Sequence, residues 1–278
     1  IELKDYIDMS TFKPIASGSI GQVYYGKRKR DGFEVAIKVK HPTIEKDLEN
    51  QTDLITILKY IQSIHYFKIK YNLIFNIDDF LEDINLQCDF NNEANNVNQF
   101  IENFKESSNY IIFPKILFQS NDILISEYIE GDSVSTLSDI SKFKTSLNFI
   151  SFFYQMLFID NFIHGDLHCK NWKIRYNDTT KVSQMIIYDC GICFQNINTK
   201  LSTDFWFALI NYDIVKIIDI LKEFLKINND LNIPYFINNK FDYEITYIFK
   251  DVINNSMGTS LIMKILLDVF RNNNLTIH

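Results

Sequence analysis

The chain has 278 residues, 46% of them hydrophobic and 15% aromatic, enough apolar material to bury a sizeable core, so disorder is not the expectation. Its formal net charge is -7, with 35 Asp and Glu against 28 Lys and Arg, which argues against a sequence-independent grip on nucleic acid and leaves phosphate binding to a local site. Four cysteines (Cys88, Cys169, Cys190 and Cys193) are too few and too unevenly placed for a disulfide framework, and a reducing intracellular compartment is expected.

The chain opens Ile1-Glu2-Leu3-Lys4-Asp5, with neither an initiating Met nor the apolar core of a signal peptide, so a fragment of a longer protein is expected, with targeting information lost. No transmembrane segment is expected. The longest apolar run, Phe149 to Ile163, is interrupted by Gln155, Asp160 and Asn161 and reads as a buried helix.

From Phe12 to Lys40 the pattern is strand, small-residue turn, strand, charged tip and strand, with Lys29-Arg30-Asp31-Gly32 supplying the second turn. The third strand carries Val35-Ala36-Ile37-Lys38, a lysine placed to reach nucleotide phosphates. Taken alone, an edge-strand lysine in solvent is the better reading. Pro42-Thr43 opens a helical stretch to about Ile64, and a second stretch runs from about Asp78 to Phe104. Extended runs at Ile111 to Phe118 and Ile123 to Ile129 flank the polar turn Gln119-Ser120-Asn121-Asp122 and complete a small sheet. The last run ends in Ser126-Glu127-Tyr128-Ile129-Glu130-Gly131. There the Glu127 carbonyl and the Ile129 N–H could pair with a purine edge, and a plain strand running into a glycine turn is an equal alternative.

Beyond Gly131 the pattern is helical, apart from one strand pair, Trp172 to Tyr176 and Val182 to Tyr188. Before that pair stands the most specific run, His164-Gly165-Asp166-Leu167-His168-Cys169-Lys170-Asn171. It fits the kinase catalytic loop H-R-D-L-x-x-x-N with Gly165 for the arginine. The spacing lets one loop present the Asp166 carboxylate to an acceptor hydroxyl and the Asn171 amide oxygen to a metal beside the phosphates. After the pair, Asp189-Cys190-Gly191 fits D-F-G with Cys190 for Phe, which makes Asp189 the principal magnesium ligand. Alone it would be a strand-ending turn; the three motifs together, in order, outweigh their separate alternatives. A zinc site from His164, His168, Cys190 and Cys193 is a minor alternative. The stretch from Ile227 to Lys240 reads as a loop.

Two further segments carry a family resemblance. Ala16-Ser17-Gly18-Ser19-Ile20-Gly21-Gln22-Val23 stands where a protein kinase has G-x-G-x-x-G and is similar to the Ala-rich loop of the UbiB family of atypical kinase-like proteins. Cys88-Asp89-Phe90-Asn91-Asn92-Glu93-Ala94-Asn95, with its Asp-aromatic-x-x-Glu-Ala core, resembles that family's signature in an inserted helical region. The resemblance covers about Lys13 to Phe194. It implies an α+β, two-lobed protein-kinase-like fold: a small antiparallel sheet lobe with inserted helices over residues 1-130, and a mainly helical second lobe over 131-278. It also implies ATP and Mg2+ as ligands. Lys38, Glu93 and Asp166 would form the catalytic set, with Lys38 paired to Glu93. Residues Ala16 to Val23, Lys38, Glu127 and Ile129 would hold the nucleotide, and Asn171 and Asp189 the metal.

Departures from the family are Gln87 at an ordinarily acidic position, Cys190, and the absence of a Lys-x-Gly-Gln element. No Ala-Pro-Glu follows Asp189, so a protein-substrate platform is not expected. The expected function is Mg-ATP binding with phosphoryl transfer or hydrolysis directed to a small-molecule, lipid or coupled substrate; the alternative is a pseudokinase scaffold that senses nucleotide. Leu261 to Phe270 is apolar enough for peripheral membrane contact, although packing onto the second lobe is the stronger reading.

Overall fold

The computed structural model describes residues 3–44, 55–57, 59–60, 77–177, 182–195, 198–226, 239–255 and 269. Most of the first expected helical stretch, most of the loop expected from Ile227 and, apart from Val269, the apolar run at Leu261 to Phe270 lie outside them. The chain forms two compact units, one of Ile1–Glu49 and Glu82–Ile197, the other of Asn50–Leu81 and Asn198–His278. Both sides of the boundary drawn at residue 130 contribute to the first unit.

In the first unit a short helix α1 (Leu3–Tyr6) leads into β1 (Ile7–Ser17), β2 (Gly21–Arg28) and β3 (Glu34–Lys40). The β2–β3 turn closes on Gly32, whose φ of 71° is the left-handed conformation a glycine adopts without strain. Asp31 bridges back to Arg28 at 2.5 Å. Gly21 opens β2 because a Cβ there would lie 2.7 Å from the Val39 carbonyl oxygen and 3.2 Å from the Phe90 ring. The adjacent strands could not stay so close with any other residue.

The stretch expected as one helix from Asp78 to Phe104 is two, α2 (Ile77–Cys88) and α3 (Phe90–Asn103). Asp89 separates them, because its carboxylate accepts the Asn91 N–H at 2.9 Å and so caps a new helix. The run Ile111 to Phe118 also divides. Its first part, β4 (Ile111–Ile112), pairs parallel to a later strand, and only β5 (Ile116–Gln119) joins β6 (Ile123–Glu127). Pro114, with no N–H to give, stands at the break. The resulting antiparallel sheet has the order β1-β2-β3-β6-β5.

Helix α4 (Asp139–Tyr154) gives way to a π turn at Gln155–Ile159 and then to β7 (Phe162–His164), so the helix expected to reach Ile163 ends earlier. Asn161, at φ 53°, makes the reversal. Next come β8 (Trp172–Asn177), β9 (Val182–Ile187) and β10 (Cys193–Gln195). The order β4-β9-β8 makes one sheet, and β7 pairs antiparallel with β10 in a ribbon that strand-length alternation did not reveal. Phe100, Phe104, Phe113, Phe152 and Phe162 pack together, and Phe100 stacks on Phe113 at 5.1 Å between centroids. Part of the run Phe149 to Phe162 is thus core, while Ile150, Phe153, Tyr154 and Ile159 on the same run are exposed.

The second unit holds α5 (Thr199–Ile210), α6 (Ile214–Lys226) and α7 (Lys240–Asn255). Asn198 caps α5 through the Leu201 N–H, and Asp213 accepts the Lys216 N–H at the start of α6. Its core is Ile217, Leu221, Leu225, Phe241, Ile245 and Phe249. Among the described residues no helix is long and apolar enough to cross a membrane.

Candidate functional site

Lys38 lies on β3 opposite Val23 on one side and Leu124 on the other, so all three face the same side of the sheet. Facing them is α3, and the residues of the Asp-aromatic-x-x-Glu-Ala segment have separable tasks. Asp89 caps the helix; Phe90 and Ala94, fully buried, set it against the sheet; Glu93 is left pointing at the lysine. The Lys38 ammonium donates to Glu93 Oε2 at 2.7 Å and to Asp189 Oδ1 at 3.0 Å, and stands 5.2 Å from the Phe90 ring centre.

This cluster settles its own charges. Burial works against the Lys38 ammonium, but the carboxylates of Glu93 and Asp189 outweigh it and raise its pKa. Burial pushes the Glu93 carboxyl up, while Lys38 pulls against it. Burial likewise acts on Asp189, yet Lys38 and the Gly191 N–H hold its carboxyl below the ordinary value. Asp189 adopts φ 50°, and a Cβ on Gly191 would approach its Oδ1 to 3.3 Å. Glycine at 191 therefore leaves room for the carboxylate to turn toward Lys38.

The loop from His164 to Asn171 is fixed from beneath. His164 is 4% exposed. Its Nδ1 accepts the Asp166 N–H at 3.2 Å, and Nε2 lies 3.4 Å from the Tyr188 carbonyl, so the neutral ring protonated on Nε2 satisfies both. Burial lowers the His164 pKa, in keeping with that neutral ring. Asn171 donates Nδ2 to the Asp166 carbonyl at 2.9 Å, and its own carbonyl accepts the Tyr188 N–H at 2.8 Å. The Asn171 side-chain oxygen accepts nothing among the described residues, which leaves it free for a cation.

Where an ordinary kinase has arginine, Gly165 donates its N–H to the Ile192 carbonyl at 2.8 Å. A Cβ there would meet Ile192 Cγ2 at 2.7 Å and the Phe194 ring at 3.0 Å. The β7–β10 ribbon thus takes the space that a side chain would need. Cys190 is fully buried in the phenylalanine core, and its carbonyl accepts from Asn96 Nδ2 at 2.9 Å and from the Cys193 thiol at 3.3 Å. With His164 committed to Asp166 and Tyr188, the zinc set is not assembled; no group of three His, Cys, Asp or Glu among the described residues could hold a metal.

A cavity of about 470 Å³ lies against this cluster, in the size range of small-molecule pockets. Of the residues singled out in the sequence, Ala16, Val23, Lys38, Glu93, Glu127, Ile129, Asn171 and Asp189 line it. Asp166 and the loop residues Ser17, Gly18, Ser19, Ile20, Gly21 and Gln22 do not. That loop is held from behind, by Gly18 N–H to the Gly21 carbonyl at 2.9 Å, Gln22 Nε2 to the Ala16 carbonyl at 2.6 Å, and His41 Nε2, 3.2 Å from the Gly18 carbonyl. Gln87 points elsewhere, donating to the Asp83 carbonyl at 3.2 Å.

Sequence reasoning did not find His41, nor Tyr188, which lines the cavity and donates its phenol to the Ile129 carbonyl at 2.8 Å. It also passed over Lys170 and Lys173, which line the cavity. Position beside a motif, one residue before Asp189 and one before Asn171, was the available signal for Tyr188 and Lys170.

Comparison with known proteins gives the family. A family model for the ABC1 atypical kinase-like domain matches residues 5–221. The ABC1 family protein YPL109C of Saccharomyces cerevisiae, named as mitochondrial, is 31% identical over 67% of this chain and 32% of its own length. A probable protein kinase UbiB of Aliivibrio fischeri is 25% identical over 93% of this chain and 48% of its own length. The chain therefore spans less than half of either relative. Among solved structures, Rv3197 of Mycobacterium tuberculosis, determined with erythromycin, superposes with a TM-score of 0.52 at 22% identity, covering 77% of this chain and 55% of that one. That likeness extends to the fold.

Proposed function

This chain belongs to the ABC1 atypical kinase-like domain family, and from that premise we propose that it binds Mg-ATP in the cavity beside Lys38 and transfers or hydrolyses the terminal phosphate. The observation that carries the reading is the partly buried Lys38 ammonium held between Glu93 and Asp189 at 2.7 and 3.0 Å. One ammonium between two carboxylates leaves a net negative charge, which suits a ligand that arrives with its own cation: the more exposed Asp189 would go to magnesium and leave Lys38, still paired with Glu93, for the phosphates.

The adenine lies between Val23 and Ala36 above and Ile187 below, its edge read by the Glu127 carbonyl and the Ile129 N–H. Lys38, kept in place by Glu93, neutralises phosphate oxygens. Asn171 and Asp189 would hold magnesium, which would supply charge neutralisation for the transferring phosphoryl group and the ADP that leaves. Asp166 accepts the proton of the attacking hydroxyl, and the N–H bond from Asp166 to neutral His164 fixes the backbone from which its carboxylate projects. The lobe boundary near residue 130 follows from the same reading, with Glu127 to Ile129 as the crossing strand.

The acceptor we propose is a small molecule, a lipid or a coupled event, since no Ala-Pro-Glu follows Asp189. A reducing compartment suits the four free thiols. Calorimetric titration with Mg-ATP tests the site: Lys38→Ala and Asp189→Ala each lose binding by about tenfold or more. Unchanged affinity in both would sink the assignment. Phosphate release above an Asp166→Asn control separates a working enzyme from a nucleotide-sensing scaffold.

A further inference from the structure

Cys190 and Cys193, both free thiols, take no part in the proposed phosphate chemistry. They lie three positions apart, with a bend at Gly191 and Ile192 between them. The bend turns the Cys193 thiol back to donate to the Cys190 carbonyl at 3.3 Å, and the two thiols lie within hydrogen-bond reach of each other. Cys190 is fully buried in the phenylalanine core; Cys193, at the start of β10, is half-buried and packs against the same core. A small solute can therefore reach the second sulfur and not the first.

The two residues enclosed by the pair hold two parts of the site. The Gly191 N–H donates to the Asp189 carboxylate, which also pairs with Lys38 at 3.0 Å. The Ile192 carbonyl accepts the Gly165 N–H at 2.8 Å, a bond that ties down the loop carrying Asp166. Asp189 itself stands at φ 50°, a backbone conformation that a residue other than glycine keeps only when its neighbours hold it there. A covalent bond that draws Cys190 and Cys193 together re-forms the backbone of Gly191 and Ile192, and both contacts run through that backbone.

We propose that Cys190 and Cys193 are a dithiol site for hydrogen peroxide, and that closing the pair to a disulfide moves Asp189 and the Gly165 contact and so lowers the affinity of the cavity for Mg-ATP. The second half rests on the nucleotide reading above. In the first step the Cys193 sulfur attacks a peroxide oxygen: an S–O bond forms, the O–O bond breaks, and the departing hydroxide takes the thiol proton and leaves as water. The Cys190 sulfur then attacks Cys193: the S–S bond forms, the S–O bond breaks, and the hydroxyl takes the Cys190 proton and leaves as a second water. Two thiols lose two electrons, and one peroxide is reduced to two waters. In a reducing compartment the pair rests as the dithiol, and exchange with a cellular thiol reopens the disulfide.

The test treats the reduced whole chain with a small excess of hydrogen peroxide and reads it by peptide mass mapping and by calorimetric titration with Mg-ATP. The expected product carries a Cys190–Cys193 cross-link, has lost two hydrogens, and keeps two of its four free thiols. Its Mg-ATP affinity is expected to fall by about tenfold or more, since displacing a positioning group by about 1 Å can cost about 100-fold. Dithiothreitol is expected to restore it. Cys193→Ser should show neither the cross-link nor a fall relative to its own untreated form. Oxygen added at Cys169 or Cys193 without a cross-link overturns the site. A cross-linked chain whose affinity is unchanged, or a fall that persists in Cys193→Ser, overturns the coupling. A reduced chain that binds no Mg-ATP removes the nucleotide reading, and the cross-link alone then decides the dithiol site. Should Cys193→Ser misfold, the cross-link and its reversal by dithiothreitol on the parent decide.

Discussion

The two loops that the proposed function brings to the phosphates are built on opposite plans. The segment from His164 to Asn171 is wired into the protein: both end residues are buried, Gly165 and Asn171 are tied through the backbone to Ile192 and Tyr188, and Asp166 is tied within the segment to His164 and Asn171. Ser17, Gly18 and Ser19 are exposed, and their loop is tied down chiefly by a turn, a glutamine and His41. On the proposed function, the loop that would hold a metal ligand to a fraction of an ångström is anchored by the fold, whereas the loop that would close over phosphates is left for the ligand to order. Damage to the first should therefore register as stability, and damage to the second as affinity.

Restoring the ordinary kinase residue makes the sharpest break. Gly165→Arg drives a side chain into Ile192 and Phe194 and is expected to lose about 1–3 kcal/mol of stability in urea unfolding, as overpacked sites do. An arginine accommodated without loss would mean that the β7–β10 ribbon is not holding the loop.

Acid gives a gentler perturbation of the same loop. His164 has a lowered pKa in the fold, so the unfolded chain takes up a proton first as pH falls below the ordinary histidine value of 6.5. Its stability contribution is complete above that pH and drains away below it. Thermal melts at pH 5.5 should lie below those at pH 7.5 by roughly 2–4 °C, and His164→Gln should flatten the difference. An equal slope in the variant would assign the effect to other groups.

The smallest effect belongs to the phosphate loop. His41→Ala removes the restraint on the Gly18 carbonyl and should weaken Mg-ATP binding by about 1 kcal/mol, roughly fivefold, while the melting temperature stays where it was. A lowered melting temperature with intact affinity would place His41 with the structural group and erase the contrast between the loops.

What the sequence exposed was the part of the site in which chemistry demands particular side chains at fixed intervals. Asp166 and Asn171, five residues apart, and Asp189 at the end of an apolar strand are legible for that reason. The partnership of Lys38 with Glu93 is not, because 55 residues separate them and no interval encodes a meeting across a sheet and a helix. The family resemblance supplied it. The cavity walls were invisible for another reason: Val97, Pro114, Ile116 and Ser126 are ordinary residues brought together by a helix face, a strand break and strand register. Likewise β7 and β10 have three residues each, too few for alternation to show, and the π turn that follows α4 ends at Ile159, two residues before the left-handed Asn161.

The Lys38 cluster also bears on how the first unit folds. Its two ion pairs join residues 55 and 151 positions apart, so no fragment of local sequence can form either one. A partly folded chain that packs α3 onto the sheet before Lys38 is in register buries the Glu93 carboxylate with no cation beside it. Such intermediates are penalised, and hairpin, helix and the turn at Asp189 are driven to arrive together. The same three charges that are positioned for a ligand thus make the assembly of this unit cooperative.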